Sequence, residues 1–184
     1  MTSRQWLGKL WGRASRRPSL TKQPRPRSRL AVETLEDRFL LSFGPTDVRH
    51  AYGFDRVAFL DSAHAQVAAD GHGETIAIVD AYDDPNISSD LAVFDSRFGL
   101  PAPPSFRKVN QTGGTTYPPP DQNAAAEISL DVEYAHAMAP GAGILLVEAN
   151  NNGSNNLDTA VQYAASQPGV VAVSMCYGSG EYSG

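Results

Sequence analysis

The sequence predicts an α/β fold: a three-layer sandwich on a mainly parallel, doubly wound sheet. Three observations carry that expectation. From Gly73 onward, apolar runs of strand length alternate with segments of helical spacing. The runs are apolar throughout instead of at every second residue, as strands covered on both faces require. Each pair of runs is separated by enough chain for a helical crossover, and right-handed crossovers then place helices on both faces.

The elements follow in order. Glu74–Tyr82 (ETIAIVDAY) is a β-branched run and reads as a buried strand. Pro85 and Asn86 form a turn, and a helix follows with Leu91, Phe94 and Phe98 on one face, stopped by Gly99. Phe106–Gln111 is a brief second strand, and TGGTTYPPPDQN is loop by its Gly and Pro content. Ala124–Ala142 (AAAEISLDVEYAHAMAPGA) reads as a helix closed by Pro140 and Gly141. Gly143–Ala149 is a third strand, Leu157–Ser166 a helix, and Gly169–Met175 a fourth strand stopped by Tyr177-Gly178. With no element after it, the last strand is left uncovered, and the chain reads as the leading half of a domain.

Charge divides the 184 residues in two. Residues 1–42 carry 10 basic and 3 acidic side chains, whereas 43–184 carry 5 basic and 17 acidic, a net −12. A body so acidic repels phosphates, which excludes a general nucleic-acid-binding surface. Residues 1–30, rich in Arg, Pro and Ser, read as a disordered basic leader. Leu35–Ser42 (LEDRFLLS) resembles a short sorting element of exported bacterial proteins, although FLL is shorter than a secretory apolar core. A small amphipathic helix at the domain edge is the other reading of that stretch. Cys176 is the single cysteine, so no internal disulfide forms, and no apolar run is long enough for a transmembrane helix.

The chemistry-bearing feature is in the alanine-rich helix. On a helical wheel Glu127 and Asp131, one turn apart, fall between two apolar flanks, while Ser129, Glu133 and His136 form the expected solvent arc. Like charges at this spacing repel, and exclusion of water adds to the cost. Both effects favour keeping a proton on the pair, which suits general acid–base chemistry below neutral pH. The residues alone leave a second reading open: Glu127 complementing the helix dipole and Asp131 capping a loop.

The pieces GETIAIVDAYDDPNISSDLAVFDSRFGLP, EISLDVEYAHAMAPGAGILLVEA and VVAVSMCYGSGE together resemble the amino-terminal part of the catalytic domain of the sedolisin family, the serine-carboxyl peptidases. The resemblance begins near Ala51-Tyr52-Gly53 and centres on Glu-x-x-x-Asp followed by Ala-x-Ala-Pro-x-Ala. It implies a subtilisin-like fold and a Ser-Glu-Asp triad, with Glu127 as general base and Asp131 supporting it. It further implies a peptide or protein substrate, paired along Cys176, Tyr177 and Gly178. Calcium is implied only for the carboxyl-terminal part of the family domain, and no cofactor for these residues.

Departures accompany the likeness. No Gly-Thr-Ser occurs, so the family's nucleophile is lacking, as are its oxyanion aspartate and calcium site. Cys176-Tyr177-Gly178 stands where the family has Ser-Trp-Gly, and a packed Cys176 is expected. Asp80, at the end of the first strand, is a possible site-edge residue; Asp80, Asp83 and Asp84 lack the spacing of a calcium loop. His136 is expected on the surface. The sequence thus predicts residues 43–184 as the leading half of an exported endopeptidase domain favouring acid, inactive without its serine. The rival is a catalytically dead peptide-binding or structural module.

Overall fold

The computed structural model describes residues 43–60 and 62–178, all within the second of two compact units, Leu41–Gly184. The leader expected over 1–42, with its sorting-like element, lies outside the described residues. Helix α1 (Pro45–Tyr52) starts on a proline, where a missing N–H costs nothing, and ends at Gly53 in the left-handed conformation. The antiparallel pair β1 (Ala58–Leu60) and β2 (Gln66–Ala68) follows. None of these three elements was expected from the sequence; all are short, and the two strands are exposed throughout.

The remainder alternates as predicted: β3 (Thr75–Ala81), α2 (Ile87–Phe98), β4 (Phe106–Asn110), α3 (Gln122–Met138), β5 (Gly143–Ala149), α4 (Ser154–Ala165) and β6 (Val170–Met175). The sheet order is β4-β5-β3-β6, parallel throughout. Alternate residues serve opposite layers. Ala77, Val79, Leu145, Val147 and Val109 pack with Leu157, Ala160 and Ala164 of α4. Ile78, Ile144 and Leu146 pack with Ile87 and Leu91 of α2 and with Ile128 and Val132 of α3. The expected three-layer α/β architecture is therefore present.

The handedness of the crossovers corrects one expectation. The chain moves from β3 outward to β4 through α2, then back to β5 through α3, with both helices on the same face. Reversing direction on one face reverses the hand. From β5 to β6 the chain continues in the second direction, but through α4 on the other face, which restores the first hand. The β4–α3–β5 crossover is thus opposite to the other two, and where those obey the right-handed rule it is left-handed. The rare connection carries the acid helix.

Among the described strands β6 is an edge. It exposes Val171 and Met175. By contrast Ile128, which fixes α3 to the sheet, is fully buried. Ile128→Ala should cost about 2–5 kcal/mol of stability, read from the shift of a urea unfolding midpoint. A loss below about 1 kcal/mol would mean that α3 is not anchored through this residue.

Candidate functional site

Helix α3 begins where Asp121 accepts hydrogen bonds from the Asn123 and Ala124 N–H groups at 2.9 and 3.0 Å, the arrangement of an N-cap. The loop before it is pinned by a parallel bridge between Asp83 and Pro120. At the other end Arg49 donates to the carbonyls of Ala137 and Met138 at 3.0 and 2.5 Å, satisfying the orphaned end of the helix. Held at both ends, α3 carries Glu127 and Asp131 past the carboxyl ends of β3 and β6, the sheet end where α/β folds bind ligands.

There the side chains converge. A carboxylate oxygen from Glu127, one from Asp131 and the Cys176 sulfur lie within 4.8 Å of one another. A cleft of about 380 Å³ opens at this point, lined by Asp80, Tyr82, Asp121, Glu127, Cys176 and Tyr177 among others. Gly178 follows this wall, and a side chain there would meet nothing within 4 Å, so the backbone stands open to approach. Tyr82 holds φ of 69°, left-handed strain of about 1–3 kcal/mol for a residue with a Cβ. A second cleft, about 390 Å³, lies at the amino ends of the strands, but its one charged side chain is Arg107. Of these two clefts, the first holds the acidic side chains.

Three placements differ from expectation. Glu127 is exposed instead of lying between apolar flanks, and Leu130 shares that open side, half exposed. The supposed solvent arc instead faces α2. Ser129 Oγ donates to Asp84 Oδ2 at 3.3 Å, and His136 is fully buried with Nε2 2.8 Å from the Pro101 carbonyl oxygen and 3.3 Å from Asp95 Oδ1. A polar arc can be a helix–helix seam when its groups find partners there, as Ser129 Oγ and His136 Nε2 do; His136 Nδ1 and Asp95 Oδ1 are buried without a hydrogen-bond partner. Cys176 is exposed and beside the carboxylates, not packed away.

Within the cleft, the carboxyl most strongly driven toward its acid form is Asp80. It is 4% exposed, and burial, then the charges of Asp131 and Glu127, raise it from 3.8 to about 7. Its Oδ2 and the Oδ2 of Asp131 are both buried without hydrogen-bond partners. Cys176 is pushed up to about 11 by its interaction with the Asp131 carboxylate, then by burial and the charges of Asp131 and Asp80. No cationic side chain lines the cleft among the described residues.

Asp80 makes stability depend on pH. Between about 4 and 7 the native carboxyl holds a proton that the unfolded chain has released, so stability falls as pH rises through that window. Asp80→Asn removes the penalty. The variant should match the parent near pH 4 and exceed it by a few kcal/mol near pH 8, measured by urea unfolding across that range. A difference that does not change with pH would show that Asp80 ionises as a free aspartate does.

Behind the cleft lies a second polar group. Glu148 on β5 is fully buried. Its Oε1 accepts from the Asp84 N–H at 3.1 Å and lies 3.2 Å from Lys108 Nζ. Lys108 also pairs with Asp83, donates to the Asp84 carbonyl at 2.7 Å and stands 4.4 Å over the Tyr117 ring. Burial pushes Glu148 up to about 8, outweighing the Asp84 N–H and the Lys108 charge, while its two acidic partners hold the Lys108 proton more firmly than usual. Through Asp84 and Ser129 this network reaches α3. Two signals in the sequence mark it: Glu148 is the single charge in an otherwise apolar strand, and Lys108 is the one lysine after residue 42.

Comparison with known proteins supports the resemblance. Over 140 residues the chain is 32% identical to kumamolisin of Bacillus sp. (strain MN-32), a sedolisin-family protein, which covers 72% of this chain. The chain spans 22% of the length of that curated relative. A solved Pseudomonas sedolisin, a serine-carboxyl proteinase complexed with two molecules of pseudo-iodotyrostatin, aligns with a TM-score of 0.47 at 24% identity, over 58% of this chain and 30% of that one. No family model matches.

Proposed function

We propose that this chain, a relative of the sedolisins, supplies the acid pair and one substrate wall of a serine-carboxyl endopeptidase. Glu127 acts as general base. It takes the proton of a serine hydroxyl as the oxygen attacks the peptide carbonyl, then returns it to the leaving amine. Asp131, one turn along the same helix, orients the Glu127 carboxyl, the part the third member plays in a histidine triad. Asp80 stays neutral in acid and spares the cleft a further charge. Cys176, Tyr177 and Gly178 run beside the substrate backbone. The nucleophile comes from outside these 184 residues, since no Gly-Thr-Ser occurs within them, and so does any calcium site.

The supporting observation is convergence. Two carboxylates from one helix and a buried acid from a central strand meet at a cleft at the carboxyl end of a parallel sheet. A carboxylate base also predicts an acid optimum, because it works where histidine is already charged. The mixed basic leader and sorting-like element suit an exported protein, and no helix among the described residues is long and apolar enough to cross a membrane.

The test is a peptide-hydrolysis assay of the whole gene product between pH 3 and 8. Turnover that peaks in acid and is abolished by an active-site serine reagent is the expected result. Saturable peptide binding with no turnover at any pH would overturn the enzyme reading in favour of a dead binding module.

A further inference from the structure

We propose that Cys176, Asp131 and Glu127 form a binding site for a thiophilic divalent cation of the zinc class at the floor of the acidic cleft. The inference goes beyond the peptidase reading and does not depend on it. Donor atoms of these three side chains come from two elements, α3 and the segment after β6, and already lie within 4.8 Å of one another. Bonds of about 2.0–2.3 Å require them to draw in by about 1 Å, which the exposed Glu127 can supply by a change of rotamer.

An independent observation points to a ligand. Asp80, 4% exposed, lines the same cleft with its Oδ2 unpartnered, and its charge acts on Cys176. The half-buried Asp131 keeps an unpartnered Oδ2 beside it. Buried carboxylate oxygens without donors are costly, and a cation satisfies them where a neutral donor is lacking. Nothing basic competes: Lys108 is engaged with Asp83 and Glu148, and no cationic side chain lines the cleft among the described residues.

The donor set selects the ion. One thiolate and two carboxylates suit Zn²⁺ or Co²⁺, whereas Ca²⁺ and Mg²⁺ need more oxygen donors than the cleft converges. On binding, the S–H bond breaks, its proton passes to water and a sulfur–metal bond forms, with no change of oxidation state. Cleft water completes the coordination. An ion so placed occupies the carboxylates that would otherwise exchange a proton with a nucleophile.

The experiment titrates the full 184-residue chain with Co²⁺ alone and then Zn²⁺ alone, in buffer free of chelators and added thiols. Expected are one Co²⁺ per chain, a near-ultraviolet thiolate-to-cobalt charge-transfer band, and displacement of that band by Zn²⁺. Cys176→Ser should abolish the band and weaken Zn²⁺ binding by about 100-fold or more, and Asp131→Asn and Glu127→Gln should each weaken it. Circular dichroism checks that the variants fold; because Glu127 is exposed, its variant decides the question should Cys176→Ser not fold. Absence of the band, or Zn²⁺ affinity unchanged in Glu127→Gln and Cys176→Ser, overturns the site. The titration reads metal and not turnover, so its failure leaves the peptidase reading standing, and the reverse holds.

Discussion

Glu127→Gln in the whole gene product is expected to lower kcat by about 10³–10⁴-fold while leaving stability within about 0.5 kcal/mol of the parent. Glutamine keeps the shape and one hydrogen-bonding oxygen, but cannot take a proton from a hydroxyl at any pH the protein survives. The side chain is exposed, so its replacement creates no cavity and orphans no buried group. Loss of turnover with KM nearly unchanged would place its contribution in the transition state instead of in binding. Residual activity within tenfold of the parent would remove Glu127 from the role of base, and a fall in stability that accounts for the lost activity would remove it equally.

The second large effect concerns stability. Lys108→Met should destabilise the fold by about 3–5 kcal/mol near pH 9, above the point at which Glu148 ionises, because it strips the cation from a site where Asp83 and the fully buried Glu148 carboxylate remain. The double variant Lys108→Met, Glu148→Leu should recover much of that loss, since replacing a buried ion pair by apolar groups of similar size is often close to neutral. The comparison is made by urea unfolding of all three proteins at one pH. Recovery would assign the cost to the uncompensated carboxylate. Equal loss in the single and double variants would assign it to the packing of the Lys108 stem against Tyr117.

How far the site could be read in advance varied residue by residue. Glu127 and Asp131 stood out because two like charges one turn apart in an alanine-rich helix need a reason. Their surroundings did not follow from the wheel. A helical wheel gives the angular position of a side chain but not what occupies each direction, so Ser129, Glu133 and His136 looked solvated until α2 was found against them. Asp80 was marked only as an edge residue. Its importance comes from burial beside two other acids, and burial is a property of the assembled layers. The Lys108–Glu148 pair joins residues 40 apart in sequence through neighbouring strands, a relation that local pattern cannot carry. Helix α1 and the β1–β2 pair escaped notice because elements this short bury too little to impose a periodicity.

By itself the sequence determined the alternation of strands and helices, the double burial of the sheet and the identity of the paired acids. Those are local matters, set by side-chain period, turn chemistry and the presence of charge where apolar residues prevail. Only the tertiary structure decided the sheet order and with it the opposite hand of the β4–α3–β5 crossover. It alone also brought Asp80 and Cys176 to the acid helix and put the part-buried Lys108 cation behind them. Those relations depend on which distant segments exclude water together, and the free energy of a carboxylate changes with that exclusion far more than with its neighbours along the chain.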